Sequence, residues 1–154
     1  MRTTLYIAAV LLSFSSCKKN KYTTVPQIKF NSIKPNVAYS NNLDATSGPV
    51  LSIQLTDLEG DFGFGNKDTS YVYVKNIITP PNKIDSFKFP AALSSINRKS
   101  LNVEVDVLIN SVLQTSNQPV KPYTDTLYFD VYVKDFAKNK SNTIKVGPVY
   151  FITP

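Results

Sequence analysis

From Pro26 onward the chain alternates apolar and polar residues, and no segment carries the three-and-four spacing of an amphipathic helix. Two runs are plainest. Leu101, Val103, Val105 and Val107 alternate with Asn102, Glu104, Asp106 and Leu108, within a strand expected at Leu101–Ile109. Leu127, Phe129, Val131 and Val133 alternate with Tyr128, Asp130, Tyr132 and Lys134, within Thr126–Asp135. Gln27–Ile33, Val50–Thr56, Tyr71–Asn76, Ile84–Phe89 and Thr143–Ile152 complete the predicted strands. Ser94–Lys99 is the stretch expected to form a single helical turn, and Pro80-Pro81 and Pro119–Pro122 punctuate loops.

Such alternation buries one face of each strand and wets the other, as in antiparallel sheets. About seven short strands in roughly 130 residues, separated by Pro, Asn, Ser and Gly clusters, predict an all-β fold. The expected architecture is an immunoglobulin-like two-sheet antiparallel sandwich. The Cys…Trp…Cys signature of antibody domains is absent, so the likeness is architectural.

Residues 1–17 follow a different pattern. Arg2 precedes an apolar stretch from Leu5 to Phe14, then Ser15, Ser16 and the single cysteine, Cys17. That stretch is too short for a transmembrane helix, which needs ~20 residues, and has the form of an export signal. Two cleavages compete. One, at Ser13-Phe14-Ser15, leaves a soluble protein with a loose thiol. The other resembles a bacterial lipoprotein box, in which Cys17 becomes a lipidated first residue. An unpaired cysteine in an exported chain favours the second, because a thioether caps the sulfur. The organisation expected is a signal peptide over 1–16, lipidated Cys17 with a flexible tether over 17–25, and one domain over 26–154.

Composition narrows the chemistry. The 154 residues include no His, no Trp and one Cys, which excludes a His-relay triad, a Cys/His zinc site and an internal disulfide. The net charge of +6 is concentrated early: without Arg2, Lys18, Lys19 and Lys21 the chain keeps 13 basic and 11 acidic residues, a net of +2. The remaining lysines are scattered, so no nucleic-acid partner is expected. Lysines beside a lipid anchor instead suit anionic head groups.

The segment from Thr56 to Asp68 holds three of the five glycines and four of the eleven acids. Alternate carboxylates at Asp57, Glu59 and Asp61, curled by glycine, can converge on a hard cation such as calcium. Counted from Asp57, Asp68 falls at position twelve, where a calcium loop places its last carboxylate. Phe62 stands at position six, where such loops need Gly, and no helix is expected on either side. The competing reading is a polar turn in which Asp57 and Asp61 bond backbone amides and the glycines take positive φ. A carboxylate-based hydrolase would need a cleft and an apolar wall that no pattern here supplies, and no Gly-x-Ser-x-Gly elbow or phosphate loop occurs. The expectation is a non-enzymatic protein.

With Val72, Val74, Phe129 and Val131 turned to the core, Tyr71, Tyr73, Tyr128 and Tyr132 point outwards. Strands three and six lie side by side in an immunoglobulin-type sandwich, so these rings would share one wet face. Tyrosine is amphipathic and common at interfaces, which makes the face a platform for a protein partner, ahead of a glycan.

Two segments together resemble a family. Thr56-Asp57-Leu58-Glu59-Gly60-Asp61-Phe62-Gly63 is similar to the Asp-Gly-Asp-Gly-Asp-Ile-Gly turn of small lipoproteins common in Bacteroidota. The stretch from Val131 to Asn142 resembles their Asp-Arg-Ala-Gly-Asn-x-Ser-Asn turn, and Pro26-Gln27-Ile28-Lys29-Phe30 fits their first strand. The resemblance implies a lipidated immunoglobulin-like protein of the cell envelope, with no chemistry attached. Leu58 and Glu59 depart from the first turn. Lys138 replaces the glycine of the second, leaving Asn139 to accept a left-handed conformation. Asp135, Asn139 and Asn142 are expected to serve that turn structurally. Acidic residues after the lipidated cysteine mark surface-exported members of that group; Lys18 and Lys19 here imply an outer-membrane anchor facing the periplasm.

Overall fold

The computed structural model describes residues 22–44, 46–63, 69–89 and 99–154. Cys17, Asp68 and most of the expected helical turn at Ser94–Lys99 lie outside the described residues. The strands are β1 (Gln27–Lys34), β2 (Val37–Tyr39), β3 (Val50–Asp57), β4 (Tyr71–Asn76), β5 (Ile84–Lys88), β6 (Leu101–Leu108), β7 (Tyr123–Lys134) and β8 (Ile144–Thr153). Each predicted run is therefore a strand, with bounds shifted by a residue or a few.

The strands form two sheets, β1-β3-β6 and β2-β8-β7-β4-β5, which is an immunoglobulin-type order. Two features correct the expectation. There are eight described strands rather than about seven, and the added one, β2, pairs in parallel with β8 through Val37↔Tyr150, Ala38↔Phe151 and Tyr39↔Ile152. Pro35 and Asn36 stop β1, because proline cannot donate to a ladder, and the chain resumes on the opposite sheet. A three-residue strand with only Ala38 buried is too short to show a period.

The inward faces follow the alternation. Leu51, Ile53 and Leu55 of β3, Val72 and Val74 of β4, and Leu127, Phe129, Val131 and Val133 of β7 are all buried in one core. Phe62 joins them from the acidic turn, its ring 5.0 Å from that of Phe89. Packing thus explains a phenylalanine where a helix–loop–helix calcium loop requires glycine.

Several buried polar side chains are bonded to the backbone. Asn76, at the end of β4, accepts from the amides of Ile78 and Thr79 at 2.9 and 3.1 Å and donates to the Val112 carbonyl at 3.2 Å. It ties the β4–β5 turn to the 3-10 turn Asn110–Val112. Domain pairing also reaches into the expected tether, since the Leu58 amide donates to the Thr23 carbonyl at 3.0 Å.

Candidate functional site

The alternation that builds the core also places the acids. In β3 the inward series Leu51, Ile53, Leu55 continues to Asp57, and in β7 the series Leu127, Phe129, Val131, Val133 continues to Asp135. These strands belong to different sheets, and both series run out at the same end of the sandwich. Asp57 and Asp135 are fully buried there. The two turns that follow touch: the Phe136 amide donates to the Asp61 carbonyl at 3.1 Å.

Their side-chain bonding differs. Asp135 accepts from the Asn139 amide and from Asn139 Nδ2, both at 2.8 Å, so each of its oxygens has a partner. Asp57 accepts the Gly60 amide on Oδ2 at 2.6 Å, while its Oδ1 is buried without a partner. Asp61 Oδ1 is likewise buried without a partner. Burial raises the Asp57 carboxyl above the ordinary range, and nearby Asp135 adds to the rise. Asp61 is pushed up to about 6, first by burial and then by the charges of Asp135 and Asp57.

Of the acids expected to hold calcium, the structure brings Asp57 and Asp61 together, leaves Glu59 exposed on the turn, and substitutes Asp135 as the third neighbour. Among the described residues no three acidic, Cys or His side chains form a group that could hold a metal ion. Gly60 and Gly63 take φ of 67° and 146°, as a glycine-curled turn requires.

The second turn is built as expected around Asp135, with one correction. Lys138, not Asn139, takes the left-handed conformation, at φ 69°. Asn139 instead spends its side chain on Asp135, and a conformation Asn would accept more easily falls to Lys138. Asn142 works outside the turn, bonding the backbone of Ile28 in β1.

The tyrosine face forms on the outer side of the five-stranded sheet. Tyr73 and Tyr132 are register partners, and their rings stack at 4.8 Å with planes 10° apart. Tyr71 lies 6.0 Å from Tyr73. Lys140 Nζ sits 4.2 Å from the Tyr132 centroid and Lys134 Nζ 5.5 Å from that of Tyr73. Burial, then Tyr73, pushes the Tyr132 phenol above its ordinary value. A depression of about 180 Å³ beside the stack is lined by Tyr73, Ile84, Asp85, Ser86 and Tyr132.

Tyr128 shares this side of the sheet but stands apart. Its ring edge lies 2.9 Å from where a Cβ on Gly147 would sit. Sequence reading missed Tyr39, Val37 and Tyr150, exposed together on the same face, because their alignment depends on the parallel β2–β8 pairing. Comparison with protein-family models, curated proteins and solved structures finds no match.

Proposed function

We propose that this protein is a lipid-anchored component of a bacterial cell envelope that binds a protein partner and performs no catalysis. Cys17 carries the lipid, and residues 18–25 lead from the membrane to the sandwich. Each buried CH₂ contributes about 0.8 kcal/mol, so several acyl chains make a durable anchor. No helix among the described residues is long and apolar enough to cross a membrane. Lys18 and Lys19 favour an outer-membrane position facing the periplasm, with the cell surface as the alternative.

The observation that carries the binding role is the stacked Tyr73–Tyr132 pair at the centre of an outward sheet face. Sugars stack on open ring faces. Here the faces of Tyr132 are used by Tyr73 and Lys140, so the stack offers ring edges and hydroxyls. Rigid aromatic edges with flanking ammonium groups suit a protein surface better than a glycan.

Two measurements test the reading. Mass spectrometry of the mature protein should find an acylated Cys17 at the amino terminus; an unmodified terminus before or beyond it removes the anchor. Affinity capture from native membranes should lose its partner when Tyr73→Ser and Tyr132→Ser are combined in a protein that still melts cooperatively. Equal capture by that variant would remove the tyrosine face from the interface.

A further inference from the structure

The place where the chain enters the sandwich relates the tyrosine face to the lipid anchor. The Leu58 amide bonds the Thr23 carbonyl, so the tether joins the domain beside the end of β3, at the end that carries Asp57 and Asp135. From Cys17 to Thr23 is six residues, which reach at most ~20 Å whatever their conformation. The Tyr73–Tyr132 stack belongs to the same half of the molecule, since Tyr132 of β7 stands three residues before Asp135, roughly 10 Å along the strand. Val120 precedes the other end of β7, about 40 Å away along its 12 residues. Around the rings the outer face of this sheet carries Lys75, Lys134, Lys140 and Lys145, against one acid, Asp130, among the described residues.

We propose that the short tether holds the sandwich upright, with its Asp57 and Asp135 end toward the bilayer. The tyrosine face, turned sideways at membrane level, then docks on an acidic surface of a protein embedded in the same membrane. This rests on the acylated Cys17 and the tyrosine interface proposed above. The face belongs to the five-stranded sheet, whereas the tether enters through the three-stranded one. Laying the rings and lysines on lipid would raise Thr23 by the ~10 Å between sheets plus the depth of the outer side chains. That takes up most of the ~20 Å reach and stretches the tether nearly straight, at a cost in chain entropy. Upright, the same residues span the gap with length to spare, which leaves Lys18, Lys19 and Lys21 within reach of the head groups. The rings then point along the membrane plane, and the four lysines select an acidic partner. A partner standing in the same bilayer is met at the high effective concentration that a short tether gives.

Two measurements on the mature acylated protein test the placement. In vesicles of phosphatidylethanolamine and phosphatidylglycerol, a dye is placed in turn on Glu59→Cys, Ser86→Cys and Val120→Cys, all exposed positions, with an energy acceptor on the head groups. Transfer should be strongest from Glu59→Cys, intermediate from Ser86→Cys and weakest from Val120→Cys. Equal transfer from Glu59→Cys and Val120→Cys overturns the upright pose. Strongest transfer from Ser86→Cys overturns it too, since the face would then lie on lipid. In native membranes, a photo-crosslinker in place of Ser86 should join the chain to a protein that resists alkaline extraction. Lys134→Glu combined with Lys140→Glu should cut that adduct about fivefold or more, and Lys75→Glu serves if the pair fails to fold. About twenty Gly and Ser residues inserted after Lys21 should cut it several-fold. Absence of an adduct, a partner released by alkali, or an adduct untouched by these changes overturns the proposal. Two controls separate its failure from failure of the reading beneath it. An unmodified Cys17 in mass spectrometry removes the anchor itself, and an undiminished adduct in Tyr73→Ser with Tyr132→Ser removes the tyrosine interface.

Discussion

Asn142 closes the outer side of β1 at Ile28: it accepts the Ile28 amide at 2.8 Å and returns a hydrogen bond to the Ile28 carbonyl at 2.9 Å, across 114 residues of chain. β1 is an edge strand, so a side chain from the opposite sheet's turn supplies what a neighbouring strand would. Asn142→Ala is expected to lower stability by about 1–2 kcal/mol, the net value of two such bonds. Urea unfolding with an unchanged slope and a lower midpoint checks it; an unaltered midpoint would remove the role.

Asn76 is the more costly position to change. It is fully buried and satisfies the Ile78 and Thr79 amides and the Val112 carbonyl at once. Asn76→Ala leaves these groups without partners away from water, at a cost of about 2–4 kcal/mol. Thermal melting should show a larger loss for Asn76→Ala than for Asn142→Ala, and the reverse order would contradict the account.

Gly147 is needed for two separate reasons. Its φ is 130°, and an added Cβ would stand 2.9 Å from both the Leu127 carbonyl oxygen and Tyr128 Cδ1. The obstacle includes backbone at the β7 bulge, which a rotamer change does not relieve. Gly147→Ala should therefore destabilise by about 1–3 kcal/mol. Retention of wild-type stability in calorimetry would show that the bulge yields freely.

Acid should stabilise the protein over a defined window. Asp61 is raised from 3.8 to about 6, and Asp57 is raised as well, both chiefly by burial. A carboxyl with a raised folded value holds more protons folded than unfolded. Stability therefore increases as pH falls through about 6, and the gain is complete below 3.8. Asp61 is partly exposed, so the gain it brings is about 1–2 kcal/mol after screening. Asp44 is held down to about 2, first by the Thr46 amide, and acts oppositely, its contribution being lost only as pH drops below 3.8. Melting temperature should thus pass through a maximum at mildly acid pH, and Asp61→Asn should flatten the rise toward it. A steady decline from neutral pH downward would refute this.

How much of the molecule was legible depends on the range of the forces involved. Strand faces such as Leu127 to Val133 were readable because side-chain direction alternates residue by residue, whatever the strand pairs with. The same local rule aims Asp57 and Asp135 inward, and extending each apolar series by one more step would have revealed it. Turn chemistry by itself accounts for an Asp before Asn139, so the local sequence marks Asp135 as a turn residue only. β2 was hidden because three residues carry no periodicity, and with it the alignment of Tyr39 and Tyr150.

The chain alone determined that this is a β-sandwich, which residues face its core, and where its polar turns fall, since these follow from alternation and from the backbone preferences of Gly, Pro and Asn. Tertiary structure alone decided who meets whom: Tyr73 with Tyr132, Asn142 with Ile28, and Asp57 with Asp61 and Asp135. Those meetings depend on sheet order and register, which are chosen by the packing of the whole core and are written in no single segment.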